Sequence, residues 1–132
     1  MAARTLHRED PDALFIVAGA TPVMRPLNEY RRESFCDNWN TDVKASFHWL
    51  QEGVNKPMRE GSRIVVFSSG AAIHGSPLSG GYTAAKRALR YLCDTMRDEL
   101  SRLGRHIHIQ CVLPQLTWWT TSARTCTATA RA

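Results

Sequence analysis

Three short apolar runs punctuate this sequence: DALFIVAGA, SRIVVFSS and HIHIQCVLP. The first, stopped by Gly19, reads as a strand buried on both faces, and the second, stopped by serines, again as a buried strand. The third reads as a strand with Ile107, Ile109 and Cys111 alternating before an apolar end at proline. Two long amphipathic stretches separate them. From about Ser34 to Lys56 the apolar residues Phe35, Trp39, Val43, Phe47, Leu50 and Val54 recur every three to four positions. That spacing predicts a helix, stopped by the proline of NKP because proline disfavours helical backbone in the residue before it. From about Tyr82 to Leu103 a second helix is predicted on the stripe Ala85, Leu89, Leu92, Met96, Leu100 and Leu103, with Gly104 as its stop. Strand, helix, strand, helix, strand is the order of a layered α/β sheet built on right-handed parallel crossovers. Such sheets bind ligands beyond the C-terminal ends of their strands. Gly19, Ser68, Ser69 and Pro114 stand at those ends.

A chain of 132 residues has room for one modest core. The net charge of +5 raises nucleic acid as a partner. The basic residues are scattered, without a run of five and without interleaved aromatics, so no nucleic-acid partner is expected. No apolar stretch approaches the length of a membrane span, and the start MAARTLHREDPDALF lacks the apolar core of a secretory signal. A cytoplasmic protein without a membrane partner is the expectation. Cys36, Cys93, Cys111 and Cys126 are widely and irregularly spaced, which predicts reduced thiols and no metal site. His106 and His108 lack a third ligand nearby. From residue 115 onward the threonine-rich TWWTTSARTCTATARA has no helical stripe and no acid, and a poorly ordered, low-complexity tail is expected there.

The loop between the second strand and the second helix carries the chemistry. In SSGAAIHGSPLSGGYTAAK a serine pair closes the strand and Tyr82 opens the helix, with Lys86 one turn further on. Residues four apart share a helix face. A cation beside a phenol favours its ionised form, and a phenol so placed can give or take a proton. A serine hydroxyl on the adjacent strand end can hold a substrate oxygen against it. A serine hydrolase would need G-x-S-x-G at a strand-to-helix elbow, and FSSGA lacks the first glycine.

Taken together, Asp12 to Pro114 resembles the short-chain dehydrogenase/reductase family. RIVVFSSGAAIHGSPLSGGYTAAKRALRYLCDTMRDEL is similar to its catalytic strand, loop and helix, DALFIVAGA to its strand ending in Asn-Asn-Ala-Gly, and WNTDVKASF to its helix bearing Asn-Val-Lys. The resemblance implies a partial Rossmann-type, doubly wound parallel sheet over residues 1–114. It implies an oxidoreductase that reduces a carbonyl or oxidises an alcohol of a small molecule, with NAD or NADP as the cofactor. Tyr82 would be the acid/base. Lys86 would favour its phenolate and hydrogen-bond the nicotinamide ribose, and Ser69 would orient the substrate oxygen. Ala18 and Gly19, with Tyr82, Lys86 and Pro114, would border the cofactor. Asp42 takes the place of the family's catalytic asparagine, where a water-holding role is implied, and Asn40 should face elsewhere.

The sequence also departs from the family. It contains neither G-x-x-x-G-x-G nor G-x-G-x-x-G, Ile16 and Val17 replace the asparagine pair, and Gln115 follows Pro114 where glycine is usual. The chain is expected to correspond to the second half of the fold, which leaves the edge of the Asp12 strand open. The family also implies a homo-oligomer through the two long helices, around Phe47, Leu50, Leu92 and Met96. The alternative function is therefore a non-catalytic remnant or dimerisation module without the cofactor-anchoring half.

Overall fold

A computed structural model describes residues 11–56 and 58–115. Strands β1 (Ala13–Ile16), β2 (Arg63–Phe67) and β3 (His108–Val112) form one sheet in the order β1-β2-β3. Both pairings are parallel, with Phe15 beside Val65 and Val65 beside Gln110. Helices α1 (Arg32–Asn38) and α2 (Lys44–Asn55), joined by a wide π turn at Trp39–Val43, connect β1 to β2. Helix α4 (Gly80–Arg102) connects β2 to β3, preceded by the one-turn helix α3 (Ala71–His74) in a stretch expected to be irregular. The α/β order expected from the apolar runs is the order observed. Gly104 closes α4 at a φ of 66°, the left-handed conformation that a helix-ending glycine takes without strain. Among the described residues no helix is long and apolar enough to cross a membrane.

The core lies on one side of the sheet. Ile16, Ile64, Val66 and Ile109 project from the strands into a cluster with Val43, Leu50, Leu89, Cys93 and Leu100 from the helices. The central strand β2 is buried on both faces, as expected, but β1, of which the same was expected, is not. Side chains alternate along a strand; on the far face Val65 of β2 is buried, but β1 is open there: Phe15 is 64% exposed and Val17, just past it, is 73% exposed. The cause is the winding. Right-handed crossovers that step in one direction along a sheet deliver every helix to the same face. Covering the second face would take a reversal of strand order.

The π turn corrects the predicted stripe of the first helix. A π turn accommodates one extra residue, so the residues after it are rotated relative to a regular α-helix. The buried positions run Asn38, Asp42, Val43, Ser46, Leu50 and Gly53, so Val43 and Leu50 of the predicted stripe are buried, while Phe47 is 43% and Trp39 52% exposed. The upper part of this buried line is polar, and it points at the strand ends.

Where α1 meets the start of α4 the two backbones touch. A Cβ on Gly81 would lie 2.5 Å from the Phe35 carbonyl oxygen. Backbone cannot swing aside as a side chain can, so Gly81→Ala must push α1 and α4 apart. We expect a loss of about 1–3 kcal/mol, read as a lower urea midpoint with an unchanged slope.

Candidate active site

The charged cluster sits where β1 ends. Asp42 lies within the π turn and is fully buried. Its Oδ1 accepts the Ala20 backbone N–H at 2.8 Å, which ties the chain leaving β1 to the helix. Asn38, one turn earlier, donates to the Ala20 carbonyl at 2.9 Å and to Asp42 Oδ2 at 3.4 Å. Lys86 reaches in from α4. Its Nζ lies 3.0 Å from Asp42 Oδ2 and donates to the Ala18 carbonyl at 3.0 Å, with side chains 5% and 0% exposed for Lys86 and Asp42. Each buried charge is thus paired and hydrogen-bonded, the condition under which ions persist in an interior. An ammonium has three donors. Two are committed here, and the third has no partner among the described residues.

Tyr82 stands one turn before Lys86, with its ring centroid 5.6 Å from Nζ, within the range of a cation–π contact. Its ring is half-buried, and no hydrogen bond to its hydroxyl is found among the described residues. Gly19 is exposed beside the cluster. A Cβ there would meet only Lys86 Nζ, at 3.8 Å, so the backbone at Ala18–Gly19 presents a bare surface next to the ammonium.

The serine pair divides its labour by strand parity. Ser68 is buried, and its Oγ donates to the Lys86 carbonyl at 2.7 Å, strapping the end of β2 to the lysine's own turn of α4. Ser69 faces the other way. Its Oγ accepts the Ala71 N–H at 3.2 Å, which leaves its hydroxyl hydrogen free to donate elsewhere. The Gly70 N–H donates to the Pro114 carbonyl at 3.0 Å, holding the end of β3 against the same loop.

Of the residues singled out in the sequence, Ala18, Gly19, Asp42, Tyr82 and Lys86 come together. Ser69 and Pro114 sit on the neighbouring strand ends, without a hydrogen bond to Tyr82. Asp42 engages Lys86 directly, and Asn40 is exposed, facing away as expected. Asn38 was missed. The only sign of it in the sequence is its place one helical turn before Asp42. The tail expected from residue 115 lies, past that residue, outside the described ones.

Comparison with known proteins bears on the same elements. The family model described as short chain dehydrogenase matches residues 6–130. Among solved structures, a short-chain dehydrogenase/reductase from Vibrio parahaemolyticus is 19% identical with a TM-score of 0.77, covering 97% of this chain and 62% of that one. Acetoin dehydrogenase from Enterobacter cloacae is 30% identical with a TM-score of 0.75, covering 86% of this chain and 45% of that one. The angucycline C-6 ketoreductase LanV, with bound NADP, is 27% identical with a TM-score of 0.68, covering 85% of this chain and 44% of that one. The chain thus spans 62% of the first of these and under half of the other two. A search of curated proteins finds no match. The family match runs through all three strands and every element that builds the Lys86–Asp42 cluster, and the chain belongs to the short-chain dehydrogenase family.

Proposed function

We propose that this chain carries the reaction centre of an NAD(P)-dependent oxidoreductase that interconverts a ketone and a secondary alcohol. The observation that supports it is the placement of a buried, doubly anchored ammonium beneath the ring of Tyr82, at the strand ends where α/β sheets bind ligands. Tyr82 delivers a proton to the carbonyl oxygen in reduction and takes the hydroxyl proton in oxidation. Ser69 donates its free hydroxyl hydrogen to that same oxygen. Lys86 sets positive charge beside the phenol, and Asp42 with Asn38 fixes where that charge stands. A nicotinamide cofactor supplies or accepts the hydride.

The nicotinamide end of such a cofactor fits the residues present. The unpartnered third N–H of Lys86 and the bare backbone at Gly19 make a cradle for a ribose hydroxyl, bordered by Ala18 and, across the loop, Pro114. Residues for the pyrophosphate are another matter, since the sequence has no glycine-rich turn of the kind that cradles one. The neighbours named as a ketoreductase and an acetoin dehydrogenase support a small carbonyl or alcohol substrate. The test is a titration of the full chain with NADH and with NADPH, followed by thermal shift. Saturable binding of one of them below the millimolar range is expected. A folded chain that binds neither at millimolar concentration contradicts the reading.

One observation favours a second reading, a non-catalytic association module. Among the described residues β1 pairs only with β2, and its outer face shows Phe15 and Val17 to solvent. Of the helix residues expected at a subunit interface, Leu50 is in the core, Leu92 and Met96 pack against it, and Phe47 is exposed. A homo-oligomer through the long helices would use Phe47 and Tyr91, the latter 71% exposed on α4. Sedimentation that yields a defined dimer without cofactor affinity would favour this second reading.

A further inference from the structure

Two thiols meet below the site, between α4 and the edge strand β3. Cys93 lies on the core-facing side of α4 and is fully buried. Cys111 is on the helix-facing side of β3, two residues past Ile109, partly exposed and packed against the core cluster that contains Cys93. Arg97 stands one turn after Cys93. Its Nε donates to the Ile109 carbonyl at 2.8 Å, and its guanidinium is ion-paired with Asp94. A fixed cation therefore lies between the two cysteines' own elements.

We propose that Cys93 and Cys111 form a redox-modifiable dithiol that reacts with a small-molecule disulfide of the glutathione class and closes into a disulfide joining α4 to β3. The partly exposed Cys111 sulfur attacks one sulfur of the small disulfide, forming a mixed disulfide and releasing one thiolate. Cys93 then loses its proton to the departing group and attacks the Cys111 sulfur, releasing the second thiol. Two protein thiols are oxidised and one small disulfide is reduced to two thiols, so the electrons balance.

The division of roles follows from the surroundings. The neighbouring Cys93 thiol and the positive charge of Arg97 bring the Cys111 thiol down to about 7, against burial, which acts the other way. The neighbouring Cys111 thiol and its own burial push Cys93 far up, so it keeps its proton until the mixed disulfide forms. Thiolates are the reactive form, and an exposed one reacts first. The other charges on α4 that act on Cys111 are Asp94, which opposes ionisation, and Arg90, which favours it. From β2 its register partner is Val66, which carries no charge. A disulfide S–S bond is about 2.05 Å, shorter than any contact between unbonded sulfurs, so closure draws β3 toward α4. Among the described residues β3 pairs only with β2.

The experiment uses the full chain with Cys36→Ser and Cys126→Ser, so that two thiols remain, and oxidised glutathione as the probe. Intact mass is expected to fall by two hydrogens with no glutathione retained. Adding Cys93→Ser, or Cys93→Ala to guard against misfolding of one variant, should trap a glutathione adduct on Cys111. Adding Cys111→Ser should slow modification at least tenfold relative to Cys93→Ser. The rate at Cys111 should rise with pH through a midpoint near 7 and level off above it. A glutathione adduct that persists when both cysteines are present overturns the proposal. So does equal reactivity of the two single-thiol proteins, or a midpoint at the ordinary thiol value of 9.0.

Discussion

Replacing Lys86 by methionine should lower the stability of the chain by about 3–5 kcal/mol, the cost of leaving a buried charge without its partner. The side chain is 5% exposed and its partner Asp42 is fully buried, so solvent cannot take over the lost contact. Asp42 would keep only the Ala20 N–H and the long contact from Asn38. The Ala18 carbonyl would lose its donor as well. Adding Asp42→Asn to Lys86→Met removes the stranded charge while keeping the size of the side chain, and should recover part of the loss. A double-mutant cycle by urea denaturation would then show a coupling of about 0.5–3 kcal/mol between the two positions. Two small and additive losses would mean that the pair is screened by water.

Tyr82→Phe should do the opposite, sparing the fold and removing the chemistry. The hydroxyl makes no hydrogen bond among the described residues, so stability should change by no more than about 0.5 kcal/mol, as for substitutions away from any special feature. The ring and its contact with Lys86 are kept. On the proposed reading the turnover number for ketone reduction should fall by about 10²–10⁴, the usual contribution of a positioned proton donor. Steady-state rates on the full chain, beside a urea curve for the same variant, separate the two effects. A loss of stability together with the loss of rate would mark Tyr82 as a packing residue.

The order of elements was legible because each strand is a compact apolar run and each helix a long periodic one. Which faces of the strands are covered was not. ALFIV and IVVF both carry apolar residues at successive positions, the pattern of two-sided burial; it holds for β2, where Ile64, Val65 and Val66 are all buried, but not for β1, where Phe15 and Val17 face outward. The π turn was equally hidden. WNTDV has no proline or glycine to announce it, and without it the periodicity assigns Phe47 to the core in place of Ser46 and points past Asn38. Within the site, Tyr82, Lys86 and Asp42 could be found from spacing and resemblance because they lie on helices, where spacing sets direction. The resemblance singled out Ser69 of the serine pair, and the structure adds that Ser68 is buried and bound to the Lys86 carbonyl while Ser69 Oγ accepts the Ala71 N–H. The direct Lys86–Asp42 contact depends on how two helices and a strand end converge, which no local pattern encodes.

The central claim is that Tyr82 and Lys86 form a working reaction centre. The most direct measurement of it incubates the full chain with reduced nicotinamide cofactor deuterated at C4, in both stereochemical forms, and a panel of small ketones, and weighs the alcohols formed by mass spectrometry. The account predicts deuterium in the alcohol from one of the two labelled forms with the native chain, and less by about a hundredfold or more in the same time with Tyr82→Phe. A folded native chain that transfers no deuterium at saturating cofactor contradicts it.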